Sequence, residues 1–487
     1  MQISNAGPDL SLAGVPFVVT ALLVSLVLAG PSAAQCQLAH VCAFSPRPLN
    51  STSSTDGVVD DVDVAIATGA GVWIAAWMEV GAHGNDGDLL FSRSVDGGQT
   101  WSSANILNTN ADGDSLSDYT PRLATNGAGT WIAVWWSEDS LGGTIGTDKD
   151  ILFSRSTDHG LTWSFPAPLN SNAATDVGDD YLPVIATTGK GDWIVAWESN
   201  NDVNDVQADR DIFYSRSTNN GLAWSACLPV HANAAFDFGD DTNVEIACDD
   251  SIFVATWTSL DSLGGTIGTD SDILYCRSVN GGQTWSAVAP LNTNASSDGS
   301  DRDNRPAIAC DHNGNWMTVW SWEPTNASNS DIRCARSTNG GLTWSNPGLV
   351  NLNGLTDVVD DQFVKLAVDE SLRWIVTWET SDTFGGVLGN DSDIIIAQSG
   401  DVGVTWSRER RGNDTAADDG IIGDFAPSIA TNGTGQWVLA WTTEDSFGYG
   451  VGADTDIAFA RLQLTPSPDC NGDSIPDMCQ LASGLAD

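Results

Sequence analysis

The side chains of this chain best suited to chemistry are carboxylates, and they come in pairs. Three loops carry them in one form. Ser137 to Asp150 reads S-E-D-S-L-G-G-T-I-G-T-D-K-D, Asp261 to Asp272 reads D-S-L-G-G-T-I-G-T-D-S-D, and Phe384 to Asp393 reads F-G-G-V-L-G-N-D-S-D. Shorter acidic runs stand between these, such as T-D-V-G-D-D from Thr175 to Asp180. Glu138, Asp139, Asp148, Asp150, Asp179, Asp180, Asp270, Asp272, Asp391 and Asp393 are therefore the candidate residues of an acidic loop face. Aspartates spaced D-x-D offer the hard oxygen ligands that Ca²⁺ takes. Two readings stay open: bound Ca²⁺ stiffens these loops, or they form a solvated acidic rim, since the repeats keep no strict ligand count.

A second candidate lies near the C-terminus, where Asp469 to Asp477 reads D-C-N-G-D-S-I-P-D. Asp469, Asn471, Asp473 and Asp477 fall at loop positions one, three, five and nine, and Ile475 would offer its carbonyl at seven, as in an EF-hand-type calcium loop. Ser474 replaces the usual Gly, and Gln480 stands where a bidentate acid is expected. The histidines His40, His83, His159, His231 and His312 are scattered and suggest no triad. Two loop carboxylates acting as acid and base would be the chemistry of a glycoside hydrolase.

The elements that must position these groups are repeats. An eight-residue turn motif recurs six times: S-V-D-G-G-Q-T-W from Ser94, S-T-D-H-G-L-T-W from Ser156, S-T-N-N-G-L-A-W from Ser217, S-V-N-G-G-Q-T-W from Ser278, S-T-N-G-G-L-T-W from Ser337 and S-G-D-V-G-V-T-W from Ser399. The closing tryptophans are 62, 61, 61, 59 and 62 residues apart, a period that means repeated supersecondary units. Asp96, Asp158, Asn219, Asn280, Asn339 and Asp401 can each accept hydrogen bonds from their own turn, which makes these motifs folding devices.

Each unit reads as four strands. Between residues 182 and 230 these are L-P-V-I-A-T-T, W-I-V-A-W, D-I-F-Y-S-R-S and A-W-S-A-C-L-P-V, with Gly, Asn and Asp turns between them. The second and third strands recur seven times, but only six fourth strands follow. The missing one is expected at the other end, where F-S-P-R-P-L-N (Phe44 to Asn50) matches W-S-F-P-A-P-L-N (Trp163 to Asn170). The fold expected is all-β: a seven-bladed propeller of four-stranded blades, closed three-plus-one by an N-terminal strand.

The turn motif resembles the Asp box of sialidases and other BNR-repeat proteins, and this resemblance spans most of the chain. It implies a propeller whose boxes lie opposite the ligand face. For a sialidase it would also imply three arginines on a substrate carboxylate, a Tyr–Glu nucleophile pair and an acid/base Asp. The chain departs from that set. Arg93, Arg155, Arg216, Arg277, Arg336 and Arg461 share one third-strand column and belong to the repeat, and T-P-R-L at Thr120 is only an echo of the family's early arginine motif. The C-terminal loop resembles those of dockerins and thrombospondin type 3 repeats, which implies Ca²⁺ and, for a dockerin, a cohesin-type partner.

Composition bounds the rest. With 64 acidic residues against 19 basic ones the net charge is −45, which argues against nucleic acid and anionic lipid as partners. Val15 to Leu28 is an apolar core followed by Ser32-Ala33-Ala34, which reads as an export signal. The expected organisation is a signal peptide over 1–34, a Cys-containing segment over 35–43, the propeller over 44–463 and a tail over 464–487. Cys36 with Cys42, and Cys470 with Cys479, suit local disulfides in an exported protein, whereas Cys227, Cys248, Cys276, Cys310 and Cys334 read as buried thiols. The function expected is a secreted, non-catalytic scaffold that binds a carbohydrate or an extracellular protein through its acidic loop face. The alternative is a glycoside hydrolase, sialidase-like or working through two loop carboxylates.

Overall fold

The computed structural model describes residues 40–465 apart from 44, 50–58, 82–85, 201–208, 235–237, 326–328, 355–357, 385–387, 389–390, 414–421 and 446–453. Alternating large and small apolar residues in short runs, punctuated by Gly and Asn turns, produce seven antiparallel sheets. Blade two is representative, with strands Asp118–Thr125, Trp131–Ser137, Asp150–Ser156 and Ala167–Pro168 ordered from first to fourth. The first strands of neighbouring blades touch one another all the way round, so they line the axis.

The core is the set of interfaces between blades. Every second strand shows one face of large rings and another of aliphatics. Trp131 and Trp135 of blade two pack on Ile74 and Ala76 of blade one, and Trp193 and Trp197 of blade three on Ile132 and Val134. The cycle closes with Trp73 and Trp77 against Val438 and Ala440 of blade seven. Each indole removes about 150–250 Å² from water, worth roughly 4–6 kcal/mol as an upper figure.

The ring closes as the sequence pattern predicts. Arg47–Pro48 pairs with the third strand of blade seven, Asp456–Thr465, in the register Arg47↔Phe459. The closure is longer than expected, because His40–Ala43 pairs with the same strand in the register His40↔Thr465. The propeller therefore begins before Phe44 and runs to Thr465, past the boundaries read from sequence. The fourth strands are shorter than expected. Of the run Ala223 to Val230, only Leu228–Pro229 pairs. Proline has no N–H to donate and stands in four of these strands as Pro48, Pro168, Pro229 and Pro290, but Asn105–Ile106, Gly348–Leu349 and Arg410–Arg411 are equally short, so the two-residue ladder belongs to the repeat and not to proline.

Cys248, Cys276, Cys310 and Cys334 lie in strands, Cys227 just ahead of one, and all five are free and buried. Burial pushes Cys248 up to about 12 and Cys334 up to about 11, which makes them unreactive. The expected export signal, the Cys36/Cys42 and Cys470/Cys479 pairings and the loop at Asp469, Asn471, Asp473, Ile475 and Asp477 lie outside the described residues. Among the described residues no helix is long and apolar enough to cross a membrane.

Candidate functional site

The two rims of the propeller divide the work. The turns joining third to fourth strands hold the Asp boxes on one rim. Asp158 accepts from Ser156 Oγ at 2.7 Å, from the Leu161 and Thr162 amides, and from Thr162 Oγ1 at 2.6 Å. Burial would raise its pKa, but these donors outweigh it and hold the carboxyl at about 2, and Asp96 is held at about 2 in the same way. Asn219, Asn280 and Asn339 accept the equivalent backbone bond at 3.0 Å, and Asp401 at 2.9 Å. The arginine column belongs to this rim too. Arg93, Arg155, Arg216 and Arg277 each donate Nε to a box carbonyl of the following blade, at His159, Asn220, Gly281 and Gly340.

On the other rim, second strands end and first and third strands begin. The acidic residues predicted there separate into layers. Asp150, Asp180, Asp272 and Asp393 are at most 1% exposed, so they are not part of a solvated face. They stand at strand starts and serve the joints between blades. Asn292 Nδ2 donates to Asp272 Oδ1 and to Asp303 Oδ2, both at 2.7 Å, and so ties the third strand of blade four to the first strand of blade five. Asn108 bridges Asp88 and Asp118 at 2.8 and 2.6 Å, and Asn351 bridges Asp331 and Asp361. At the joint between blades three and four His231 replaces the asparagine, with Nε2 2.8 Å from Asp241 and 3.6 Å from Asp211. Sequence reading passed over this bolt; its trace is the second residue after each fourth strand, Asn in six blades and His in one.

The remaining predicted residues lie nearer the surface. Glu138 stands 3.8 Å from Lys149 Nζ, and Asp139 accepts from Asn110 at 3.0 Å and from the Leu141 amide. Asp179 accepts from the Lys149 amide and from the Tyr181 hydroxyl at 2.7 Å. Asp148 and Asp270 stand beside Asp150 and Asp272, in two clusters with Asp176 and Asp298. A third, equivalent cluster of Asp86, Asp88 and Asp114 was not expected from sequence. Burial, and then the neighbouring carboxylates, push Asp114 up to about 7. Asp150 and Asp272 also reach about 7, with burial first and asparagine hydrogen bonds opposing it ahead of the smaller push from nearby aspartates. Burial raises Asp391 as well.

The acidic rim also carries an aromatic shelf that sequence reading missed. Tyr119 stacks on Trp136 with centroids 3.9 Å apart and planes within 8°, and Tyr181 meets Trp136 edge-on at 5.5 Å. Lys149 Nζ lies 5.2 Å from the Trp136 ring and 5.0 Å from the Tyr181 ring, and the Arg210 guanidinium lies 5.2 Å from Tyr181. Arg210 also pairs at 3.3 Å with Glu198, which is 1% exposed. All three rings are half-buried. Trp136 follows the core Trp135 directly, and that doublet is the signal in the sequence.

Two features shape the mouth. Seven non-glycine residues, Asp63, Thr120, Leu182, Asn243, Arg305, Phe363 and Ala426, have φ between 47° and 58° at one bulge in each first strand. Such a bulge re-aims the side chains before it. Deeper in, Lys365 of blade six reaches past blade five to Glu245 of blade four at 2.5 Å. Glu198 and Glu379 occupy equivalent second-strand positions, and burial raises both above the usual carboxylate range.

A profile described as BNR repeat-like domain matches residues 71–314, half of the chain. No curated protein matches. The chain is similar to a protein of unknown function from Dyadobacter fermentans DSM 18053, at 12% identity over 87% of this chain and 99% of that one, with a TM-score of 0.49. It is similar to an α-L-arabinanase of Penicillium chrysogenum complexed with arabinobiose, at 15% identity over 71% and 92%, with a TM-score of 0.43. It is also similar to the NanB sialidase of Streptococcus pneumoniae, at 11% identity over 86% and 71%, with a TM-score of 0.43. At these identities the likeness is one of fold.

Proposed function

The chain belongs to the family of BNR repeat-like domains, and from that premise we propose that it is an exported, non-catalytic scaffold that binds carbohydrate on the rim opposite its Asp boxes. The observation that carries this reading is the shelf of Tyr119, Trp136 and Tyr181 with Lys149 beside it. Half-buried rings offer a sugar an apolar face, and the hydroxyls and carboxylates around them supply hydrogen-bond partners. Glu138 and Asp179 stand within that border. An extracellular protein is the other partner class this rim would suit. On the same reading residues 1–34 direct export, and the tail at Asp469 to Asp477 holds Ca²⁺, with a cohesin-type partner as its further implication.

Sialidase chemistry is disfavoured by the arginines. Four of the six in the repeated column are committed to box carbonyls on the far rim. A hydrolase working through two carboxylates finds its support in Glu198 and Glu379, whose raised pKa values suit a general acid.

A glycan array run beside fluorogenic glycoside assays, with and without Ca²⁺, separates these readings. We expect saturable binding without turnover, weakened at least tenfold by Trp136→Ala and by Tyr181→Ala. Turnover abolished by Glu198→Gln or Glu379→Gln would sink the scaffold reading and establish the hydrolase.

A further inference from the structure

We infer that the acidic rim carries a repeated binding site for a hard divalent cation of the Ca²⁺ type, set at the joints between blades. Its first copy is built from Asp86, Asp88, Asn110 and Asp114.

Three observations converge. First, carboxylate oxygens of Asp86, Asp88 and Asp114 lie within 4.8 Å of one another, and the equivalent trios Asp148/Asp150/Asp176 and Asp270/Asp272/Asp298 do the same. Second, Asp86 is only 8% exposed, yet neither of its carboxylate oxygens has a hydrogen-bond partner. A buried carboxylate without donors is costly unless a positive charge answers it. Third, Asn110 turns its amide so that Nδ2 donates to Asp114 and to Asp139, which leaves its buried Oδ1 without a partner. Asn294 does the same beside Asp298, with its Oδ1 likewise buried and unpartnered.

The pattern is a property of the repeat and not of one joint. In Asp209, Asp270 and Asp454, which occupy the Asp86 position in blades three, four and seven, both carboxylate oxygens are buried and without a partner. D-x-D opens the third strand at each of them, and the full form N-x-N-x-x-x-D follows the fourth strand in blades one, two and four, at Asn108 to Asp114, Asn170 to Asp176 and Asn292 to Asp298. Three carboxylates and an amide oxygen form an all-oxygen set. Ca²⁺ accepts six to eight such ligands in flexible geometry, with water and backbone carbonyls completing the shell, whereas thiol- or imidazole-seeking metals find nothing here. A cation so placed joins the third strand of one blade to the loop that leads into the next. The inference is independent of what the aromatic shelf binds.

The full chain, stripped with chelator and titrated with Ca²⁺ alone in equilibrium dialysis, tests this. We expect at least three bound Ca²⁺ per chain, one fewer in Asp86→Asn, one fewer in Asp270→Asn, and three fewer in the triple variant Asp86→Asn/Asp148→Asn/Asp270→Asn. The Asp86 side chain makes no bond that Asn would lose, so chelated Asp86→Asn should unfold at or above the wild-type temperature, and Ca²⁺ should raise its midpoint less. Should the triple variant fold poorly, the two single variants decide by count. An unchanged Ca²⁺ count in the variants overturns the inference, as does a wild-type chain that binds none. So does a count that falls only with Asp473→Asn, since that result assigns the ions to the tail.

Discussion

At Asp96 four donors meet on one carboxylate: Ser94 Oγ, the Gln99 and Thr100 amides and Thr100 Oγ1. They favour the ionised form and hold its pKa near 2, below the usual 3.8. A depressed folded-state pKa gives stability that is present above 3.8 and lost as pH falls toward 2. We therefore expect the melting temperature to drop between about pH 4 and 2, and Asp96→Asn to flatten part of that slope while still folding, because Asn219, Asn280 and Asn339 already serve in that position. Melting curves of the two proteins across that range check it. These boxes were legible in the sequence because every contact of the motif is local. The shelf was not, since Tyr119, Trp136 and Tyr181 sit on three strands of two blades and no short window contains them. The predicted acidic face was legible in content but not in depth: the burial of Asp150 beside half-buried Asp148 and Lys149 depends on where each strand begins.

At the scale of the element, the joint between blades is the unit of stability. The box of blade two meets the second strand of blade one at Gly160, where φ is +74° and an added Cβ would overlap Ile74 Cδ1. Gly160→Ala should destabilise by about 1–3 kcal/mol, part from backbone strain and part from overlap. Adding Ile74→Val removes the overlapping methyl, so a double-mutant cycle should return a favourable coupling, whereas strict additivity would mean that only the backbone term matters. The same joint receives Trp163 on Phe91 at 5.9 Å, and the arrangement recurs for Trp224 on Phe153 and Trp285 on Tyr214. Strand number and order followed from periodicity alone. The length of the fourth strand did not, because its pairing is limited by its place at the outer edge, with or without proline.

For the whole molecule the decisive contact is the one that joins its two ends. Leu49 N donates to Ile457 O at 2.6 Å, and Gly98 of the first box would meet Val438 of blade seven if it carried a Cβ. Removing residues 1–49 leaves the third strand of blade seven as an unpaired edge, which invites association with other chains. We expect that truncation to lower the melting temperature and to yield oligomers by size-exclusion chromatography, whereas removal of residues 1–34 leaves both unchanged. The closure was readable because Phe44 to Asn50 repeats the outer strand of blade two in sequence. That His40–Ala43 extends the same seam has no counterpart in the other repeats, so periodicity gave no warning of it.

That seam also sets a schedule for biosynthesis. Residue 49 leaves the ribosome some four hundred residues before residue 457, and at roughly 5–20 residues per second the wait is on the order of 20–80 s. During that interval six blades can stack on one another as they emerge, but blade seven has no outer strand and blade one no partner on its open side. Closure is therefore the last step, and a nascent propeller stalled before residue 465 should remain an open, sticky arc.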